Sequence, residues 1–290
     1  MVLFHRILGA QPTSEGPTPL VVLHGLLGSS DNWQTLGSRW AEHRPVVLID
    51  QRNHGRSPHH PSHVYPDMVV DLLDTLDHLG IQQADLLGHS MGGKTVMHFA
   101  DRHPARCRKL IIADMAPIAY PPHHTPLFDA LAALDLTRFD RRQEVDAALT
   151  ETVQEPGIRQ FLLKGLHRAA PDRFAWRYNL PVLRRHLADM TAFLPLGTVD
   201  LPTLALYGTR SDYVVGRGLE ALHAHFPQLE ATGLEAGHWL HAEEPDAFAE
   251  CVGLSLLSRP GIGQKRNARP AGPIGRSGQL EVEVSPWSRP

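Results

Sequence analysis

Gly88-His89-Ser90-Met91-Gly92 sets a serine between two glycines, directly after the apolar pair Leu86-Leu87. The pattern G-x-S-x-G is that of a turn from a buried strand into a helix. The glycines remove Cβ atoms that would clash there, and the serine hydroxyl points outward at the head of the helix. Such a hydroxyl is a weak nucleophile until a base takes its proton. The base must be held in one tautomer by a carboxylate, and the oxyanion that forms needs fixed donors. The chain offers a candidate for each part. His238, in Ala236-Gly237-His238-Trp239 after the last apolar run, is the base, and Asp114, which closes the run Lys109 to Ala113, is the acid. The N–H groups of Met91, at the helix start, and of Leu26, in His24-Gly25-Leu26, are the oxyanion donors.

Other reactive side chains read as structural. His89 is a residue packed beside the serine, and His24 anchors the oxyanion loop by hydrogen bonding. Lys94, one turn beyond Ser90, reads as a member of an ion pair or a snorkelling side chain rather than a base. The 19 histidines suggest a metal site. However, His59-His60-Pro61-Ser62-His63 and His123-His124 lack an accompanying carboxylate or cysteine pattern, so they read as solvated loop histidines. Neither a metal nor a cofactor is expected.

Short apolar runs alternate with helical stripes through the first part of the chain. Leu20 to Leu23, Val46 to Ile49, Ala84 to Leu87 and Lys109 to Ala113 read as strands buried on both faces. Helices are expected from Ser30 or Asp31 to about Glu42, from Asp67 to Leu79, and from Ser90 to about Arg102. This alternation predicts an α/β fold, a mostly parallel twisted sheet with helices on both faces. Residues 1–116 form the first part of the core. Over 117–196 strand signals vanish and helical stripes take over, which predicts an inserted helical lid. Its arginines (Arg141, Arg142, Arg184, Arg185) read mainly as a solvated face, with some available to a phosphate-bearing group such as coenzyme A. Leu127, Phe128, Leu131, Phe161, Leu162 and Trp176 are candidates to line an acyl pocket. Residues 197–258 complete the core, and the Pro/Gly/Arg-rich stretch 259–290 is expected to be a disordered tail.

A net charge of -3 with 42% hydrophobic residues argues against a nucleic-acid partner held by bulk charge. The start of the chain lacks the apolar stretch of a signal peptide, no run is long enough to span a membrane, and a cytoplasmic location is expected. Cys107 and Cys251 read as reduced thiols in or beside helices.

Taken together, these motifs resemble the α/β-hydrolase superfamily from about Val2 to Leu257. More narrowly, they resemble the small esterases of the YbfF type and their eukaryotic abhydrolase relatives. The resemblance is carried by His24 to Asn32, Arg52-Asn53-His54-Gly55-Arg56-Ser57-Pro58, Gly88 to Lys94, Asp114-Met115-Ala116-Pro117 and Gly237-His238-Trp239-Leu240-His241-Ala242. The chain order serine, acid, histidine agrees with it. It implies a serine hydrolase that cleaves carboxylic esters or acyl thioesters of small molecules through an acyl-enzyme on Ser90. The alternatives are an acyltransferase or perhydrolase with the same triad, or a ligand-binding protein without turnover. Many members of the superfamily carry the acid three residues beyond a glycine that follows the lid. Counted from Gly208 that position is Ser211, with Asp212 next to it. In YbfF-like relatives the acid follows the strand after the nucleophile helix, which maps onto Asp114. Asp114 is therefore favoured and Asp212 stays open.

Overall fold

Leu20-Val21-Val22-Leu23 and Val46-Val47-Leu48-Ile49 are buried at every position, as strands covered on both faces must be. The computed structural model describes residues 1–121, 124–171 and 173–257. Its strands are β1 (His5–Leu8), β2 (Leu20–Leu23), β3 (Val46–Ile49), β4 (Ala84–His89), β5 (Cys107–Ala113), β6 (Leu166–Ala170), β7 (Arg173–Trp176), β8 (Thr203–Gly208) and β9 (Leu229–Leu234). Seven of them form one sheet in the order β1-β3-β2-β4-β5-β8-β9, parallel except for the edge strand β1.

The helices of the first half are α1 (Gln34–Trp40), α2 (Tyr65–His78), α3 (Met91–Arg102), α4 (Thr125–Ala133) and α5 (Arg142–Leu149). They are followed by α6 (Pro156–Leu163), α7 (Leu180–Arg185), α8 (Leu187–Thr191), α9 (Arg217–His225), α10 (Leu240–Glu243) and α11 (Pro245–Leu257). Successive strand side chains point to opposite faces, so each strand feeds two cores. Val21, Leu23, Val47 and Ile49 pack with Leu72 of α2 and Phe99 of α3. Leu20, Val22, Val46 and Leu48 pack with Trp33, Trp40 of α1 and Phe248 of α11. Full burial of each such side chain contributes about 1.5–3 kcal/mol.

Between β5 and β8 the chain is not wholly helical. β6 and β7 form a separate antiparallel hairpin, with Leu166 opposite Trp176. Leu-His-Arg-Ala-Ala has no β-branched residue, so local propensity gives no sign of a strand. The two ends of this insertion are tied to α3 by Lys94. Its ammonium is neither paired with a carboxylate nor snorkelling: it is buried and donates to Ile118 O at 2.9 Å and Ala192 O at 2.5 Å. Burial pushes its pKa down to about 7. Cys107 opens β5 directly after a short 3-10 helix over Pro104–Arg106, so it does flank a helix, and both cysteines are free. Among the described residues no helix is long and apolar enough to cross a membrane. The expected tail 259–290 lies outside the described residues.

The turn from β4 into α3 leaves no room for side chains at its glycines. A Cβ on Gly88 would lie 2.1 Å from Gly92 O, and one on Gly92 would lie 2.5 Å from Leu23 O. Both neighbours are backbone atoms and cannot rotate away. Gly88→Ala and Gly92→Ala are each expected to lower the urea-unfolding free energy by about 3 kcal/mol. Gly253→Ala in α11, where an added Cβ meets nothing within 4 Å, is expected to raise it by about 0.5–1 kcal/mol.

Candidate active site

Among the described residues, four that are not glycine have positive φ: Leu27 (58°), Asn53 (64°), Ser90 (52°) and Asp114 (47°). Each follows the carboxyl end of one of four adjacent strands, β2, β3, β4 and β5 respectively. Left-handed backbone at such residues costs about 1–3 kcal/mol each and clusters where geometry serves a site. The open carboxyl edge of a parallel sheet is where such sites form.

At this edge three side chains separated widely in sequence meet. His238 Nδ1–H donates to Asp114 Oδ2 at 2.7 Å, which leaves Nε2 to accept from Ser90 Oγ–H at 3.0 Å. Asp114 is fully buried, and its Oδ1 accepts the Gly208 N–H at 3.0 Å. The Ser211 hydroxyl donates to Oδ2, so the residue at the alternative acid position holds the carboxylate of Asp114. Asp212 is exposed. The Tyr213 ring stacks on the His238 ring at 4.0 Å and 17°. The His89 Nε2–H fixes the backbone beneath it by donating to His238 O at 2.9 Å. Sequence reading passed over Tyr213, because a stacking partner has no local signature.

The loop after β2 is held by buried neutral histidines. His24 Nε2 accepts the Gln51 N–H at 3.0 Å, so its Nδ1–H donates to Gly25 O at 2.8 Å. In the same way His54 Nε2 accepts the Leu27 N–H at 3.1 Å, and Nδ1–H donates to Arg52 O at 2.9 Å. Burial lowers both pKa values, which keeps these rings neutral and able to accept. Among the described residues, the Leu26 N–H has no protein acceptor and the Met91 N–H, first in α3, has none within the helix. His63 is not solvated as the sequence suggested. It is buried between Asn53 Nδ2 and Met91 Sδ, each at 3.3 Å, while His59 and His60 are exposed. His123 lies outside the described residues.

Ser90 opens into a cavity of about 520 Å³ that His238, Trp239, Leu127, Ile158, Phe161 and Leu162 help to line. A second cavity, of about 350 Å³, adjoins the same serine. Phe128, Leu131 and Trp176 are not among the lining residues. Phe128 and Leu131 are buried in the core, and Trp176 stacks on Tyr178. Arg141, Arg142, Arg184 and Arg185 are exposed, as a solvated face requires, and each also has a partner in the protein. Arg184 pairs with Asp129 at 2.7 Å and Arg141 with Glu144 at 2.8 Å, while Arg142 and Arg185 donate to carbonyl oxygens of Leu166 and Pro61.

A family model described as alpha/beta hydrolase fold matches residues 18–179. Esterase YbfF of Escherichia coli is 37% identical over 237 residues, covering 81% of this chain and 91% of that protein. The chain belongs to the α/β-hydrolase family. The hydrolase is also 37% identical to the sn-1-specific diacylglycerol lipase ABHD11 of Mus musculus, over 80% of this chain and 79% of that one. The solved structure of a marine microorganism esterase superposes on it with a TM-score of 0.83 at 34% identity, covering 88% of this chain and 99% of the other.

The buried histidines couple the hydrolase's stability to acid. Burial holds His63 and His241 down to about 3, whereas an unfolded histidine titrates near 6.5. Between those values the unfolded chain binds more protons than the folded one. Their contribution is therefore fully present above about pH 6.5 and is lost as pH falls towards 3, by up to about 1.4 kcal/mol per pH unit for each ring. Urea unfolding at pH 7.5 and pH 5 is expected to show this loss. His241→Phe, which puts an apolar ring against Trp33 and Phe248, is expected to shrink the difference between the two pH values.

Proposed function

We propose that this hydrolase is a carboxylesterase that works through an acyl-enzyme on Ser90. The observation that carries the reading is the unbroken hydrogen-bond path from Ser90 Oγ through both ring nitrogens of His238 to the buried Asp114. Ser90 Oγ attacks the acyl carbonyl carbon while His238 Nε2 takes its proton. The carbonyl oxygen becomes an oxyanion received by the Leu26 and Met91 N–H groups, each such donor being worth about 10²–10³ in rate. Collapse breaks the bond to the leaving oxygen or sulfur, which takes the proton from Nε2, so esters and acyl thioesters share one route. Water then attacks the acyl-enzyme by the same proton path and frees the acid. Asp114 holds His238 in the required tautomer and stabilises the imidazolium that forms.

The core comprises 1–116 and 197–258, and segment 117–196 acts as a lid that walls the cavity above Ser90. The names borne by the relatives, esterase and lipase, support ester cleavage. No metal or cofactor enters this scheme.

Wild-type protein is expected to hydrolyse p-nitrophenyl butyrate and to be labelled at Ser90 by a fluorophosphonate. Ser90→Ala and Asp114→Asn are each expected to lower kcat/KM by about 10³–10⁴, and Asp212→Asn to change it by less than about twofold. An Asp212→Asn loss equal to that of Asp114→Asn would reassign the acid.

A further inference from the structure

The cavity divides at Ser90 into two arms of different size and chemistry. Leu26, Ser90, His124 and Tyr213 line both. Only the arm of about 520 Å³ includes His238, with Leu127, Ile158, Phe161, Leu162 and Trp239. Only the arm of about 350 Å³ includes Met91, whose amide is the oxyanion donor, with Tyr65, Met115, Tyr120, Met190 and Thr191. In acyl transfer the leaving group has to receive its proton from the histidine that took the serine proton, so it departs on the histidine's side. The acyl substituent, attached to the carbon whose oxygen sits on the amides, then extends the other way.

The smaller arm is walled by groups already tied in place. The Tyr65 hydroxyl donates to Met190 O at 2.9 Å, and the Tyr120 hydroxyl donates to Tyr213 O at 2.8 Å. The Tyr120 N–H is bound to Thr191 O at 2.8 Å, and the Thr191 hydroxyl is spent on Leu187 O at 3.0 Å. This arm therefore offers ring faces, methionines and the His124 ring, with the Tyr65, Tyr120 and Thr191 hydroxyl protons already donated.

We infer that the hydrolase takes esters of short acyl groups with long apolar alcohols, the alcohol lying in the arm beside His238 and the acyl group in the arm beside Met91. This rests on the serine-esterase reading above and adds which side of the ester bond carries the bulk. The step balances as before: the Ser90 Oγ–acyl bond forms, the acyl–O(alkyl) bond breaks, and the Ser90 proton leaves on the alcohol.

Octyl acetate and methyl nonanoate are isomers that differ only in which side of the ester holds the long chain, so they test the assignment directly. The expected result is a kcat/KM for octyl acetate at least about tenfold above that for methyl nonanoate. Met115→Ala, which lengthens the acyl arm, should lower the ratio of the two, and Leu162→Trp, which fills the alcohol arm, should lower it as well by blocking octyl acetate. Phe161→Ala should raise it. The ratio is taken within one sample and does not depend on the fraction folded. A wild-type preference for methyl nonanoate, or a Met115→Ala effect confined to octyl acetate, overturns the assignment. Labelling of Ser90 by a fluorophosphonate with no turnover of either isomer also overturns it, while leaving the esterase reading intact. If the folded protein neither labels at Ser90 nor cleaves either isomer, the esterase reading itself fails.

Discussion

The left-handed turn at Ser90 is the constraint around which the rest of the structure is arranged. A φ of 52° at a residue with a Cβ is unfavourable, and it persists here because β4 and α3 are both buried and fix the chain on either side. The close approach of Gly88 to Gly92, and of Gly92 to the end of β2, lets α3 start at once against the sheet. This sets the Ser90 hydroxyl and the Met91 amide on the same edge. Both positions depend on the helix beginning directly after the strand.

Strain at the edge is matched by polar groups committed to holding it. His24 and His54 each accept a backbone N–H and donate to a backbone carbonyl, an arrangement open only to a neutral imidazole. Their burial therefore fixes both the tautomer and the loop that carries Leu26. Asp114 is handled differently. Its charge is buried against an N–H and a hydroxyl as well as His238, so it stays oriented without facing solvent.

The insertion contributes no member of the Ser90–His238–Asp114 path, yet it supplies much of the wall around Ser90. It is fastened at both ends through the Lys94 ammonium and again where Asn179 bonds Asn53 through backbone (3.0 Å) and side chain (2.9 Å). Asn53 is one of the four strained residues at the strand ends, next to His54. The wall and the loop after β2 are thus mechanically continuous.

The doubly covered parallel strands and the tight serine turn were legible in sequence, because each depends on residues within a few positions of one another. Burial on both faces demands runs such as Val46 to Ile49, and a turn without space demands glycine at 88 and 92. The choice between Asp114 and Asp212 was different in kind. The resemblance favoured Asp114, but local pattern treats the two carboxylates alike until folding puts one against His238 and leaves the other exposed. The β6–β7 hairpin, the carbonyl-bound Lys94, buried His63 and stacked Tyr213 share that character. Each is decided by a partner distant in the chain, and long-range juxtaposition leaves no periodic trace in the local sequence.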